Sequence, residues 1–488
     1  MNELLAGIDT QLVSISEIVW GPVMICLLVG TGLYLTVRLG FVQFLYVRHA
    51  VRCVLGKYDR AEDSGDISHF RALTTALSAT IGTGNIAGVA TAIAMGGPGA
   101  VFWMWMTAIV GMATRFTSCS LALHFRDVHE DGSVSGGPMY FLKRGFNPAM
   151  LVHMAGEGLT RKMGAVLAAA FALFAIIASF GIGNMVQANS VVNGLGYILP
   201  QAWQKSEMGI GGFQVNCFNC VIGLVLAILV GLVILGGIRR IAGVTSRLVP
   251  FMCVIYVLGS MTVLILNIDK IPGCIAMIFR YAFSGYAVGG GIVGATVAQA
   301  MRFGVARGVF SNESGLGSSP MAYAAAKTKE MARAGFVSML GPLIDTLIIC
   351  SMTALVILVT DARSSGLTSS SLTAKAFDLG LFGYGQYIVS FGLIFFAYST
   401  TISWSYYGDR CAEYLFGSGA IKWYRYVYIM LIVVGAIGGL RIIWNLADIF
   451  NALMAVPNLI GLVALVGLAA AKKRDYLRRL KAGEFGKE

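Results

Sequence analysis

The sequence predicts an all-α polytopic membrane protein of about eleven transmembrane helices, on three observations. Of 488 residues, 57% are hydrophobic and only 12% charged, about half the charge of a soluble domain. Apolar runs long enough to cross a bilayer recur from Ile18 to Ala471. Lysine and arginine concentrate in alternate loops, as the positive-inside rule requires of a multi-pass chain.

The expected spans are 18–37, 70–96, 98–124, 164–193, 215–236, 244–266, 286–303, 333–360, 381–408, 423–439 and 447–471. The first is too long for a signal-peptide core. Glu3, Asp9 and Glu17 precede it and Arg38, Arg48 and Arg52 follow, the reverse of a secretory signal, so it reads as a retained helix. A basic amphipathic stretch, Phe41–Leu55, reads as an inner-surface connector that completes an N-terminal unit, 1–69. Spans two to six and seven to eleven form two five-helix units, 70–266 and 267–471, followed by a basic tail, 472–488. Outside the inner loops the only basic residues are Lys205, Lys270, Arg280, Arg363, Lys375 and Arg441. The N-terminus is therefore expected outside, and the tail inside, lying on anionic lipid or solvated. This placement assigns the net charge of +12 to a bilayer partner rather than to nucleic acid. No required protein partner is evident.

Other chemistries lack motifs. The nine cysteines are scattered, and Cys217-Phe-Asn-Cys220 is better read as chance than as a redox pair. No phosphate loop, nucleophile–base pair or metal cluster stands out, so neither an enzyme nor a cofactor is expected. All five histidines, 49, 69, 124, 129 and 153, fall on or near the inner side, which argues against a histidine proton relay at mid-membrane.

Two spans carry glycines deep inside. Span two contains Ile81-Gly82-Thr83-Gly84-Asn85, and span seven contains Gly289-Gly290-Gly291. Each opens a set of five, and an odd number of spans separates equivalents, so the sets have opposite topology. Paired discontinuous helices at 70–96 and 286–303 in an inverted repeat mark a midplane binding site. The competing reading is close helix packing through glycine. An unwound segment frees amides near Thr83 and Gly84 that suit a carboxylate, and carbonyls near Ser78 and Ile81 that suit a hard cation. In span nine, Ala397 lies one turn before Thr400 and Thr401; their oxygens either complete a cation site or bond their own helix. Asp345 lies roughly ten residues into span eight, near mid-bilayer at about 1.5 Å per residue. It is expected to ligate a second cation, to carry a proton or to brace a neighbouring helix. Gln187 either contacts substrate or packs helices. Arg115 is expected to snorkel to the inner interface.

These residues resemble the alanine or glycine:cation symporter family. The likeness is carried by Gly96-Gly97-Pro98-Gly99-Ala100-Val101-Phe102-Trp103-Met104-Trp105-Met106-Thr107-Ala108-Ile109-Val110-Gly111 and by Gly82–Ala92. Gly183-Asn184-Met185-Val186-Gln187-Ala188-Asn189 and Arg307-Gly308-Val309-Phe310-Ser311-Asn312-Glu313 carry it further. Ser314 and Ser319 stand where alanine is usual. The resemblance implies a leucine-transporter-like 5+5 inverted repeat with one extra N-terminal helix, in a bacterial or archaeal cytoplasmic membrane. It implies sodium-coupled symport of alanine or glycine, with D-alanine and serine left open. By similarity, substrate meets Thr83, Gly84, Asn85, Gln187, Gly289, Gly290, Gly291 and Trp404, and sodium meets Ser78, Ile81, Ala397, Thr400 and Thr401. The rivals are proton coupling through Asp345, a channel and an amino-acid sensor.

Overall fold

The computed structural model describes residues 2–59, 63–130, 133–146, 156–200, 207–210, 213–285, 296–438 and 441–485. Among them, nine helices are long and apolar enough to cross a bilayer. A tenth span arises when one pair, bent by 52°, counts as a single broken helix. The pattern of burial is that of a protein dissolved in lipid. On Cys217–Ile234 the exposed side chains are Val221, Leu224, Val225, Ile228, Leu229 and Leu232, while Ser78, Asp345 and Thr401 are fully buried. Apolar chains face hydrocarbon, and the polar groups that hydrocarbon cannot satisfy turn inward.

The chain begins with α1 (Asn2–Val19) and α2 (Pro22–Arg38). The bent pair follows. Helix α3 (His69–Thr80) is capped by Ser68, whose hydroxyl accepts the Arg71 amide at 3.3 Å. It ends where Ile81 leaves helical geometry at ψ 89°. The chain then re-forms as a π-turn, Gly84–Gly88, and as α4 (Val89–Gly96). Helix α5 (Gly99–His124) packs against the second broken element.

A second interruption lies downstream of the one the sequence predicts at 286–303. Within 286–303, the residues up to 295, with Gly289, Gly290 and Gly291, lie outside the described residues. The described remainder belongs to a regular helix, α6 (Val297–Asn312), which starts at a capping box of Thr296 and Gln299. The interruption lies at 313–319. Glu313 turns left-handed at φ 52°, Gly315 and Gly317 follow at φ 96° and 90°, and Pro320 starts α7 (Pro320–Ala324). A left-handed backbone suits glycine, and proline at a first helical position loses no hydrogen bond. Arg307, which the expected span leaves in a loop, sits on α6 instead.

The start of one broken helix is tied to the end of the other. Asp66 and Ile67 donate their amides to the Ala325 carbonyl at 2.9 and 3.1 Å, and Lys327 donates to the Ile67 carbonyl at 2.8 Å. Arg126, just past α5, donates to the carbonyls of Ala324, Ala326, Ser64 and Thr328 at 2.7–3.1 Å.

Helix α8 (Gly385–Phe416) crosses beside both breaks. The last two helices are α9 (Arg441–Leu453) and α10 (Ala455–Lys481). The tail does not stand free: α10 continues through it with Lys473, Tyr476 and Leu480 buried at helical spacing. Arg479 makes two bonds to Glu330, at 2.8 and 2.6 Å. One face of the tail is apolar enough to dock on protein while Lys472 and Arg478 stay exposed.

Replacing Arg126 by alanine leaves four carbonyls to find new donors. The Arg126→Ala protein is expected to lose roughly 2–5 kcal/mol of stability. Lysine restores only part of this, because a point charge cannot span the carbonyls that a planar fork reaches. Thermal unfolding of the purified protein measures the effect, and an unchanged midpoint contradicts the clamp.

Candidate functional site

The two interruptions face each other across a narrow cavity of about 10 Å³. Gly82, Thr83 and Gly84 of the first break line it, with Glu313 and Leu316 of the second. Ile182, Gln187, Phe310, Thr400, Trp404 and Asn451 close the remaining sides. The structure thus brings the predicted Thr83, Gly84, Gln187 and Trp404 into one pocket. Gln187 donates to the Ile182 carbonyl at 3.0 Å and to the Thr83 hydroxyl at 3.4 Å, which leaves its own oxygen buried without a partner. Trp404 is 2% exposed and packs its indole edge toward the Tyr407 ring, 5.6 Å between centroids.

Asn85 does not line this cavity. Its side-chain oxygen accepts the Gly82 amide at 2.9 Å, so it substitutes for a missing helical carbonyl and holds the break open. Its amide nitrogen donates to the Asp345 carboxylate at 2.7 Å. Asp345 also accepts from the Ser311 hydroxyl at 2.9 Å and from the Thr346 hydroxyl at 2.7 Å. One fully buried carboxylate therefore joins the first break, the end of α6 and its own helix.

The predicted cation oxygens gather behind the first break. Thr400 donates to the Ser78 carbonyl at 3.0 Å, and Ser399 to the same oxygen at 3.3 Å. The Ser78 hydroxyl meets that of Ser403. Thr401 donates to the Ala397 carbonyl at 2.9 Å. Ile81 is fully buried, and its departure from helical geometry takes its carbonyl out of the regular ladder. Thr400 thus links α8 to Ser78 of α3, with Ile81 at the same break, while Thr401 bonds Ala397 within its own helix. All offer oxygen, the donor type that suits a hard cation. Among the described residues, no group of His, Cys, Asp or Glu has a metal-holding arrangement. The approach of α8 depends on Gly82, where an added Cβ would stand 2.6 Å from the Thr400 hydroxyl oxygen.

Two sequence expectations change. Arg115 does not snorkel: it is 2% exposed, and its guanidinium donates to the Asn312 carbonyl at 2.5 Å. It caps the C-terminal end of α6, where a cation meets both a freed carbonyl and the negative end of the helix dipole. Glu313, Leu316 and Asn451 are pocket residues that sequence reasoning did not single out. The signal for the first two was Gly315-Leu316-Gly317-Ser318-Ser319-Pro320, a glycine and proline cluster that breaks a helix.

Two helices interrupted at a shared polar pocket, inside a many-helix apolar chain, define a secondary transporter. The chain belongs to the sodium:alanine symporter family, whose profile matches residues 6–487. It is a multi-pass membrane transporter rather than an enzyme. It is 44% identical over 467 residues to the "Sodium/alanine symporter AgcS" of Methanococcus maripaludis, covering 95% of this chain and 96% of that one. It is 34% identical over 472 residues to the "Probable sodium/glutamine symporter GlnT" of Bacillus subtilis, covering 96% and 91%. Among solved structures, a Na+-coupled sialic acid symporter aligns with 92% of this chain and 85% of its own. The identity is 15% and the TM-score 0.44.

A methyl group at Gly82 would separate the first break from α8. Overpacking of this kind costs about 1–3 kcal/mol, so Gly82→Ala is expected to lower sodium-dependent uptake about tenfold or more. Gly88→Ala, whose Cβ would meet nothing within 4 Å, is the control. Equal uptake by the two variants contradicts the close contact.

Proposed function

We propose that the chain imports a small neutral amino acid together with sodium by alternating access. Alanine and glycine are the leading substrates, followed by D-alanine and serine. The observation that carries this reading is the single pocket shared by both breaks, with the oxygen set of α3 and α8 directly behind it.

The substrate carboxylate docks on the amides of Thr83 and Gly84, at the positive end of the second half-helix. Gln187 contacts the substrate with the side-chain oxygen that has no protein partner. Trp404 limits size, because its indole stands in the wall of a narrow cavity. Sodium takes the carbonyls of Ser78, Ile81 and Ala397 and the hydroxyls of Thr400 and Thr401. It bridges α3 and α8, so its binding favours one arrangement of the helices over the other. Asn85 acts by shaping the break. Asp345 takes a second cation; because it joins both broken helices, its protonation is the alternative coupling step.

The driving force suffices. One charge crossing 100 mV releases about 2.3 kcal/mol, and a tenfold sodium gradient adds about 1.4. Together they sustain roughly 500-fold accumulation of a zwitterion.

We place the protein in the cytoplasmic membrane of a bacterium or archaeon, with the N-terminus outside and the tail inside. The units are 1–69, the opposed five-helix repeats 70–266 and 267–471, and the tail 472–488. The second repeat's broken helix is the one interrupted at 313–319, five spans after the first. This spacing supports the 5+5 leucine-transporter-like arrangement.

Uptake into proteoliposomes tests the reading. Sodium-driven alanine uptake is expected, with competition by glycine, serine, both alanine enantiomers and glutamine ranking the substrates. Uptake driven by a pH gradient without sodium would transfer the coupling to protons. Two variants sharpen the assignments. Thr400→Val removes one ligand oxygen and is expected to raise the sodium concentration for half-maximal uptake about tenfold, as does losing one hydrogen-bond-sized interaction. Asp345→Asn is expected to cut uptake more than it lowers the melting temperature; full uptake returns Asp345 to a bracing role.

A further inference from the structure

Glu313 is the one ionisable side chain that lines the central pocket. It is 3% exposed and sits at the first residue beyond α6, in the left-handed conformation that a residue with a side chain adopts only at a cost. One of its oxygens accepts the Ser318 hydroxyl at 2.5 Å. The Trp404 indole also bonds this carboxylate, and the nearby Arg115 gives one nitrogen to the Asn312 carbonyl while its Nε and Nη1 have no hydrogen-bond partner. Among the described residues, no Lys, Arg or His nitrogen lies within the 4.0 Å of an ion pair with Glu313. A buried carboxylate without an ionic partner costs several kcal/mol unless a cation meets it.

The neighbouring walls show the same need. Gln187 Oε1 and Asn451 Oδ1 are both buried, line the same cavity and have no hydrogen-bond partner. Gln187 cannot present its nitrogen instead, because that nitrogen bonds the Ile182 carbonyl. Three acceptors thus line one pocket, and an ammonium group carries three N–H donors. On this basis we propose that the Glu313 side-chain carboxylate is the counter-charge for the substrate's ammonium, with Gln187 and Asn451 taking its other two N–H groups. The inference rests on the amino-acid reading above and adds a requirement to it: the ligand must be protonated at its α-nitrogen. Glu313 touches substrate directly and is a binding residue rather than a member of the cation set.

The test is binding of L-alanine to the purified full-length protein in sodium, followed by calorimetry or thermal shift. Glutamine in place of Glu313 keeps the shape and the bond from Ser318 but removes the charge; aspartate keeps the charge and shortens the arm. Glu313→Gln is expected to weaken alanine binding roughly 10- to 100-fold, the range of a lost charge-assisted hydrogen bond. Glu313→Asp is expected to bind better than Glu313→Gln, and the stabilisation by sodium alone is expected to persist in both. A Glu313→Gln protein within twofold of wild type overturns the proposal, as does one that binds better than Glu313→Asp. A probe on the wild-type protein avoids any folding defect of the variants. L-Lactate, with a hydroxyl in place of the ammonium, is expected not to displace alanine; displacement within tenfold of alanine's own affinity overturns the proposal. A wild-type protein that binds none of alanine, glycine or serine overturns the substrate reading itself, a result distinct from wild-type binding that survives the loss of Glu313.

Discussion

A helix interrupted in hydrocarbon must have every freed amide and carbonyl met by another polar group, and the rest of this structure follows from that demand. The first break is held open by Asn85, whose oxygen takes the Gly82 amide. Asn85 in turn is held by Asp345, and Asp345 holds Ser311 on the second broken helix. The carbonyl at the end of that helix is taken by Arg115. The two breaks are therefore satisfied partly through shared partners. A change at one is transmitted to the other through Asp345, because its carboxylate cannot keep all three donors if either helix moves.

This arrangement explains why so many charged and amide side chains are buried at the centre of an apolar protein. Asp345, Arg115, Glu313, Asn85 and Asn312 are each no more than 3% exposed. Isolated, each would cost several kcal/mol in the bilayer. As partners for broken backbone they satisfy groups that are already without helical partners, so helix interruption and buried charge compensate each other. The hydroxyls of α8 extend the pattern: Thr400 and Ser399 both meet the Ser78 carbonyl, one turn before the break. A cation replacing those protein–protein bonds would meet an oxygen set already assembled, which lowers the cost of ordering it.

The first half of this design was legible in the sequence and the second half was not, for a physical reason. Gly82 and Gly84 interrupt an apolar run that is otherwise plainly a span, and Asn85 beside them signals a polar need. The second interruption lies between α6 and the short α7, where the apolar run is weak and the residues read as a loop. The denser glycine run upstream, Gly289–Gly291, lies outside the described residues, whereas Gly315, Gly317 and Pro320 mark left-handed turns and a helix restart. Arg115 misled for a related reason. Its position near a span's end predicts snorkelling when the neighbouring helices are whole, and only the broken end of α6 gives it a buried carbonyl to cap. Thr83 and Gly84 were legible from the glycine-rich break itself, and Gln187 and Trp404 from the family resemblance. Glu313 was not, because its role depends on a turn that periodicity does not register.

The charge arrangement at the second break bears on how a transporter with this pocket discriminates. In the proposed docking, backbone amides at the first break supply positive potential that would hold any carboxylate without regard to what else the ligand carries. Were the opposite wall neutral, small carboxylic acids would compete with amino acids on nearly equal terms. A carboxylate at 313 changes that balance, because a ligand that lacks a cation leaves Glu313 buried and unpaired as well as forfeiting a contact. Rejection by an unpaired buried group is worth far more than the loss of apolar contact. On the proposed reading, discrimination at the ammonium end is electrostatic, whereas discrimination at the side-chain end falls to the bulk of Trp404. On that reading the two can change independently, since Glu313 and Trp404 stand on different elements of the pocket.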